Sequence, residues 1–286
     1  MGRTGGENAK SGKRLTEKKK ATRADAISAK APGPKTERGR RAASADRTPR
    51  KGRATGRGAS PPKLAGSPSE RAARFRKILP LLRKAYPDAE CALRHEDPWQ
   101  LLVATILSAQ STDETVNKVT PELFAAYPTP RELAAADPTD VERIVHRTGF
   151  FRQKTKSIIG AARKIVGEFG GNVPDKMDAL VTLPGVARKT ANVVLGTAFG
   201  KNEGVVVDTH IGRVATRLGL TWTARDGKDA VRIEQDLMQV IPRPEWTYVG
   251  HALIWHGRKV CSARKPNCAG CTLNRLCPSA GIADGA

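Results

Sequence analysis

The sequence has few aromatic residues and no long apolar run. Phe, Trp and Tyr together make up 5% of the 286 residues, and none of them occurs among residues 1–68. No stretch stays apolar over the roughly 20 residues that a membrane-spanning helix needs, and no apolar segment of a secretory signal is present. We therefore expect neither a membrane protein nor a secreted one.

Cysteine is also scarce. The chain has five cysteines, and four of them lie close together near the C-terminus, at Cys261, Cys268, Cys271 and Cys277. This distribution is unlike the disulfide framework of a small secreted protein. Cys91 stands apart, and we predict that it is a small buried residue, as lone cysteines usually are.

Acidic residues are rare in the first part of the chain. Residues 1–68 contain 19 Lys and Arg against 5 Asp and Glu, a net charge of +14 out of +22 for the whole sequence. With no aromatic residue, this segment cannot bury enough apolar surface to offset its conformational entropy, so we predict a disordered basic arm. Such an arm suits a polyanion, and nucleic acid is the obvious one.

Two other interpretations of the arm stay open. It is rich in arginine and poor in acids, as organellar transit peptides are, and Lys13-Arg14 with Lys18-Lys19-Lys20 could form a nuclear address. We favour a DNA-tethering arm on a cytoplasmic, nucleoid-associated protein.

Helical periodicity dominates the rest of the sequence and predicts an all-α fold. The longest strand-like pattern is only 204–207, and no internal repeat is evident. Ser67 or Ser69 can cap the first helix, Asp97 the second and Asp113 the third. The expected helices span 69–84, 99–109, 114–124, 130–135, 139–146, 151–169, 178–183, 209–218 and 245–258.

One motif joins the helix expected at 178–183 to a further helical pattern at 186–194. In the stretch 183–194, Pro184-Gly185 follows an apolar run and precedes a new helical pattern, which predicts a helix–hairpin–helix. The hairpin glycine permits a tight turn, and the backbone N–H groups beside it suit a phosphate. Arg188 and Lys189 fall in the first turn of the second helix. Taken alone, so short a motif also fits a solvated basic helix start.

Two further features lie downstream of this motif. Asp208 follows Lys189 by nineteen residues, and read alone it is a helix N-cap. The four C-terminal cysteines are spaced C-x6-C-x2-C-x5-C. Zinc sites usually have two separated C-x2-C pairs, and only one is present here, whereas four thiolates in a compact loop also suit an iron–sulfur cluster.

The hairpin lysine, the aspartate and the cysteine loop together resemble endonuclease III, a bifunctional DNA glycosylase and abasic-site lyase. The resemblance runs from about residue 69 to 278. It implies a six-helix domain at 91–201 and an iron–sulfur domain at 69–90 plus 202–279, with a DNA-binding cleft between them and a short tail at 280–286. It also implies a monomer that binds damaged duplex DNA, with Cys261, Cys268, Cys271 and Cys277 holding a 4Fe-4S cluster.

The resemblance assigns the chemistry to two residues. Lys189 would attack the sugar of an oxidised pyrimidine, form a Schiff base and allow cleavage of the abasic site by β-elimination. We expect Arg188 and the helix N-terminus to lower the pKa of this lysine. Asp208 would stabilise the developing positive charge and accept protons from the amine.

The remaining assignments are contacts to DNA. Gln110 would enter the gap left by an extruded base, and Phe150 would wedge into the duplex, although leucine is also common there and Phe150 fits an ordinary core residue equally well. Gly185 and Arg188 would approach phosphates at the hairpin. Arg264 and Lys265 would do so from the cysteine loop.

Two competing functions remain. An adenine-mismatch glycosylase of the same superfamily usually lacks the hairpin lysine and has a long C-terminal domain, whereas Lys189 is present here and nine residues follow Cys277. A non-catalytic, cluster-containing DNA-binding protein would not need both Lys189 and Asp208.

Overall fold

The structure, a computed structural model, describes residues 66–224 and 227–281. Within them the regular structure is helical and contains no strand, so the predicted all-α class is confirmed. The predicted arm lies outside the described residues except for its last three. No helix in the described part is long and apolar enough to cross a membrane. The α-helices are α1 Pro68–Ala85, α2 Pro98–Leu107, α3 Asp113–Ala126, α4 Pro130–Ala135, α5 Pro138–Val145, α6 Phe151–Glu168, α7 Met177–Leu180, α8 Arg188–Phe199, α9 Thr209–Arg217, α10 Ala230–Val240 and α11 Trp246–Lys259.

Helix starts follow the local capping chemistry. Ser67 caps α1 in a reciprocal capping box with Glu70, and Asp97 caps α2 by accepting the Gln100 N–H at 2.7 Å. Asp113 was expected to cap α3, but Thr112 does so and Asp113 is the first residue of the helix. The shift is physically favourable, because a carboxylate in the first turn complements the helix dipole.

Two hydrophobic cores organise the described residues. The first contains the buried side chains of α2 to α8, from Leu93 to Leu195. The second joins α1 to the later helices α9, α10 and α11, from Phe75 to Leu273. The chain therefore contributes α1 to the second core, then α2 to α8 to the first core, and finally α9 to α11 to the second core again.

The predicted helix–hairpin–helix is present. Helix α7 ends at Leu180, earlier than expected, and the hairpin of residues 181–187 leads into α8 at Arg188. Gly185 has φ of +79°, and a Cβ there would lie 2.7 Å from the Cβ of Ser157. The glycine thus satisfies both a left-handed backbone and a close approach to α6. This turn fixes where α8 begins.

Candidate functional site

A cavity of about 280 Å³ gathers residues from both cores. We call it the cleft cavity. Lys189 reaches it from the first turn of α8, Asp208 from the start of α9, and Gln110 from the loop after α2. Other residues of its wall are Thr105, Asp113, Asn192, Val206, His251 and Arg258. Three residues predicted from separate parts of the sequence therefore share one site.

Asp208 is held by its role as a helix cap. Its Oδ1 accepts the backbone N–H of Ile211 at 2.8 Å. The side chain is half-buried and belongs to the wall of the cleft cavity. The two interpretations of this residue, cap and functional carboxylate, are compatible, because the cap fixes the carboxylate at the cavity.

The buried carboxylate of Glu234 bonds to two residues at the start of α8, a contact that the sequence did not predict. Glu234 of α10 accepts Arg188 Nε at 3.2 Å and Asn192 Nδ2 at 2.9 Å, so it connects the start of α8 to the second core. Arg188, expected to face a phosphate, is engaged in this ion pair. The sequence signal for this contact is limited to Asn192, which lies three residues after Lys189 on the same helix face.

A second ion pair crosses the cavity wall between the two cores. Arg258 of α11 donates to Asp113 of α3 at 2.9 Å. His251 of α11 also lines this cavity. Burial lowers the pKa of His251. Cys91 lines the cavity too, and burial is the main cause of its raised thiol pKa.

Two residues with predicted DNA contacts have strained backbones. Gln110 has φ of +53° and Phe150 has φ of +48°, and within the described ranges no other non-glycine residue has a positive φ. Such conformations are unfavourable for L-residues and recur at functional sites. The Phe150 side chain is 67% exposed, so its interpretation as an ordinary core residue is wrong.

The turn before Phe150 is supported from below. The buried Lys154 donates from Nζ to the carbonyl oxygen of Thr148 at 2.7 Å. Burial lowers the pKa of this lysine. The hydrogen bond ties the first turn of α6 to the residues that present Phe150.

The four C-terminal cysteines line a common small cavity of about 30 Å³. We call residues 261–277 the cysteine loop. Arg217 Nη1 lies 3.2 Å from the sulfur of Cys261, and the backbone N–H of Leu273 donates to Cys271 Sγ at 3.4 Å. His256 Nε2 lies 3.6 Å from the same Cys271 sulfur. The Arg217 guanidinium and the Leu273 N–H therefore donate to two of the four sulfurs.

Burial disfavours the charged form of two of these thiols. It is the main cause of the raised pKa values of Cys271 and Cys277. Over the described residues, no group of three or more Cys, His, Asp or Glu is arranged to hold a single metal ion.

Two arginines of α9 connect the cysteine loop to the cleft cavity. Arg217 donates to the carbonyls of Ser262 at 2.7 Å and Ala263 at 2.9 Å, and Arg213 donates to that of Cys261 at 3.0 Å. Both arginines are half-buried, because the loop covers them. The helix that Asp208 caps is thereby bonded to the loop.

The outer edge of the cysteine loop is basic. Arg264 and Lys265 are exposed there. The Ser262 hydroxyl donates to the carbonyl oxygen of Lys265 at 2.5 Å and closes the turn that contains them. The two side chains are therefore presented to solvent from a hydrogen-bonded turn.

Comparison with known proteins identifies what this arrangement is similar to. Residues 103–243 match the HhH-GPD superfamily of base excision DNA repair proteins. Endonuclease III of Synechocystis is 58% identical over 207 residues, which cover 72% of this chain and 93% of that protein. The structure of a non-covalent endonuclease III–DNA complex matches with a TM-score of 0.68 at 40% identity, covering 74% of this chain and 97% of that one. A trapped endonuclease III–DNA covalent intermediate matches with the same TM-score at 39% identity, over the same shares of the two chains.

Proposed function

The chain belongs to the endonuclease III family and is a DNA glycosylase and lyase of base excision repair, and we propose that it removes oxidised pyrimidines with Lys189 as the nucleophile. The observation that carries this proposal is the presence of Lys189 and Asp208 in one cavity between two cores. The related trapped complex is a covalent one, as an amine nucleophile requires.

The proposed steps use these two side chains in turn. Asp208 accepts a proton from the Lys189 ammonium, and the neutral amine attacks C1′ of the damaged nucleotide while the bond to the base breaks. The base leaves with that electron pair and takes up a proton. The Lys189 nitrogen, now bonded to C1′, loses a proton, and the C1′–O4′ bond of the sugar ring breaks while O4′ takes up a proton. Nitrogen and C1′ are then joined as a protonated imine. Loss of a proton from C2′ allows the bond from C3′ to its phosphate oxygen to break, which nicks the strand.

The DNA contacts are proposed from exposure and backbone geometry. Gln110 lies at the cavity mouth and would fill the gap beside the orphaned partner base, and Phe150 would insert between base pairs. The hairpin at Gly185 would bind a phosphate through backbone N–H groups. Arg188 remains half exposed beside its ion pair and would add positive charge there.

We propose that the two cores correspond to the domains expected at 91–201 and at 69–90 with 202–279. Their junction is where the cleft cavity lies. Arg264 and Lys265, on the second domain, would contact phosphates. The protein would act as a monomer on the nucleoid in the cytoplasm, with its basic arm on DNA.

The cysteine loop fits a 4Fe-4S cluster. Cys261, Cys268, Cys271 and Cys277 converge on one cavity, and Arg217 and a backbone N–H point at their sulfurs. Four cysteine thiolates in one compact loop are the ligand set that such a cluster takes. When bound, it would supply cross-links that keep the loop rigid and hold Arg264 and Lys265 in place.

The test is covalent trapping of the protein on a duplex with an abasic site. With borohydride, we expect the wild-type protein to be trapped and to nick the strand, and Lys189→Ala to do neither while still binding the duplex. Lys176→Ala, which removes an exposed lysine outside the cavity wall, is the matched control and should behave as wild type. Equal trapping of Lys189→Ala and wild type would refute the assignment. A wild-type protein that binds without nicking would instead be the non-catalytic DNA-binding alternative.

A further inference from the structure

The side-chain oxygen of Asn192 is a buried hydrogen-bond acceptor without a partner. Asn192 is 4% exposed, it lines the cleft cavity, and within the described part of the chain its Oδ1 receives no hydrogen bond. Buried polar atoms are nearly always satisfied, and exceptions call for a specific explanation. Lys189 lies three residues earlier on the same helix, so the oxygen belongs to the neighbourhood of the proposed nucleophile.

The orientation of this amide is fixed by Glu234. Asn192 Nδ2 donates to Glu234 Oε1 at 2.9 Å, and an ionised carboxylate can only accept hydrogen bonds. The amide nitrogen must therefore face Glu234, which leaves the oxygen pointing elsewhere. Arg188 Nε donates to the same Glu234 Oε1 at 3.2 Å. The protein thus presents an acceptor, and not a donor, at this point of the wall.

A second unsatisfied group lies on the same wall. The Thr197 hydroxyl is also buried without a partner in the described ranges, and Thr197 lines the cleft cavity one and a half turns further along α8. Both atoms belong to residues of one wall, so a ligand that reaches them finds an acceptor of fixed orientation and a hydroxyl that can accept or donate.

A pyrimidine base supplies the matching donor. Oxidation or saturation at C5 and C6 leaves the N3–H of a thymine-like base and the exocyclic amino group of a cytosine-like base intact. We infer that Asn192 is a specificity-determining residue, whose Oδ1 accepts a hydrogen bond from the N–H edge of the extruded pyrimidine. This inference rests on the proposed function. A site built around such a bond rejects analogues that lack the donor, because its own polar group then stays unpaired.

Two activities of the protein, base release and nicking at an abasic site, should depend differently on Asn192. An abasic site has no base, so the Asn192 contact cannot form there, and strand nicking at such a site should not depend on it. Release of a damaged base should depend on it, because the contact helps to hold the base in the cavity while the bond to the sugar breaks. A merely structural role for Asn192 would affect both activities alike.

The experiment compares three duplexes in single-turnover reactions of the full chain. They contain 5,6-dihydrothymine, the same base methylated at N3, or an abasic site. For Asn192→Ala we expect dihydrothymine release to fall about 10- to 100-fold, the range typical of one lost hydrogen bond in a buried site. Nicking of the abasic duplex should match wild type. Thr120→Val, a buried polar-to-apolar change in α3 outside the cavity wall, is the control and should match wild type on every duplex.

N3-methylation identifies the atom that is recognised. It should slow wild type strongly and Asn192→Ala little, since the variant has lost the acceptor and gained room for the methyl group. Equal methylation penalties in both proteins, or equal losses on abasic and base-containing duplexes, would overturn the inference. If the variant does not fold, the wild-type penalty alone decides, and its absence refutes the contact. Failure of the wild type to nick the abasic duplex would refute the proposed function and is thus a distinct result.

Discussion

Asp208 caps α9 and lines the cleft cavity with the same carboxylate. At the scale of one residue, capping and chemistry need different properties. The cap needs one oxygen acceptor, which an amide supplies nearly as well, whereas the proposed chemistry needs a negative charge and a proton acceptor. A substitution that keeps the first property and removes the second therefore separates the two roles.

We expect Asp208→Asn to keep its thermal stability and to lose most of its turnover. Asp229→Asn is the matched control, because Asp229 caps α10 by accepting the Arg232 N–H at 3.3 Å and is outside the wall of the cleft cavity. Melting temperatures and single-turnover nicking rates would be measured for both variants. If Asp208→Asn loses activity only in proportion to its stability, Asp208 is a cap and nothing more.

Phe150 combines a left-handed backbone with an exposed aromatic ring. Glycine adopts this backbone without the cost of about 1–2 kcal/mol that other residues incur. We therefore expect Phe150→Gly to retain or slightly raise stability while it weakens binding to lesion-containing duplex. Val231→Gly removes another exposed apolar side chain, 64% exposed. Since Val231 lies in α10, this control should cost stability and spare lesion binding. An unchanged affinity of Phe150→Gly would mean that the ring does not enter the duplex.

The hydrogen-bond partners of some residues can be predicted from nearby sequence, and those of others cannot. The caps at Ser67 and Asp97 depend on neighbours three residues away, so the sequence predicts them. The partners of Arg188 and Arg217 lie 46 and 45 positions further along, at Glu234 and Ser262. Only the folded chain brings such pairs together.

The hairpin between α7 and α8 determines where Lys189 is placed. Gly185→Ala would put a Cβ 2.7 Å from Ser157 Cβ on a backbone with φ of +79°. Gly200→Ala has a similar φ of +63° but no heavy atom within 4 Å of the new Cβ. We expect Gly200→Ala to cost about 1–2 kcal/mol from strain alone, and Gly185→Ala to cost more because α6 must move. Chemical denaturation of both variants measures the difference, and equal losses would show that the close approach to α6 is unimportant.

The cysteine loop and α9 form a second unit at the scale of elements. Cys277 Sγ lies 3.4 Å from the Arg217 carbonyl oxygen, on the helix that begins at Thr209 after its cap Asp208. If the four cysteines hold a cluster, its loss should loosen this end of α9, because ligation is coupled to local folding.

We expect Cys277→Ser to give protein without the visible absorption of an iron–sulfur cluster, with a lower melting temperature and little activity. Cys91→Ser is the control, because Cys91 lies outside the cysteine loop, and it should keep the absorption. Iron content, absorption and thermal unfolding would be measured on both. A folded, active Cys277→Ser protein without iron would contradict the proposed role of the loop.

At the scale of the whole molecule, the cleft cavity lies where the two cores of the described residues meet. Arg188 with Glu234 and Asp113 with Arg258 join the cores beside the cleft cavity, so the wall is connected by ion pairs from both sides. The resemblance of local motifs predicted which residues share this site. It did not predict the pairs, because a motif does not specify how two cores approach each other. These contacts give the cavity a defined shape without DNA.

Most of the net positive charge belongs to the first 68 residues of the sequence. Residues 1–68 have a net charge of +14, and the rest of the chain has +8. Each phosphate that a protein neutralises contributes about 0.9 to the slope of log affinity against log salt on B-DNA. Charge in the arm should therefore act on search and residence, whereas Lys189 and Asp208 act on the chemical step in the proposed mechanism.

Deleting residues 1–65, which leaves the Ser67 cap of α1 intact, should flatten the salt slope and weaken binding to undamaged duplex. Single-turnover cleavage at saturating protein should hardly change, because the cleft cavity and the cysteine loop remain. A full-length variant with the 19 Lys and Arg of residues 1–68 replaced by Gln keeps the length and removes the charge, so it should match the deletion. Salt titrations of all three proteins on one duplex test this. Equal slopes would show that the arm does not contact DNA, and would favour one of its two other interpretations, an organellar or a nuclear address.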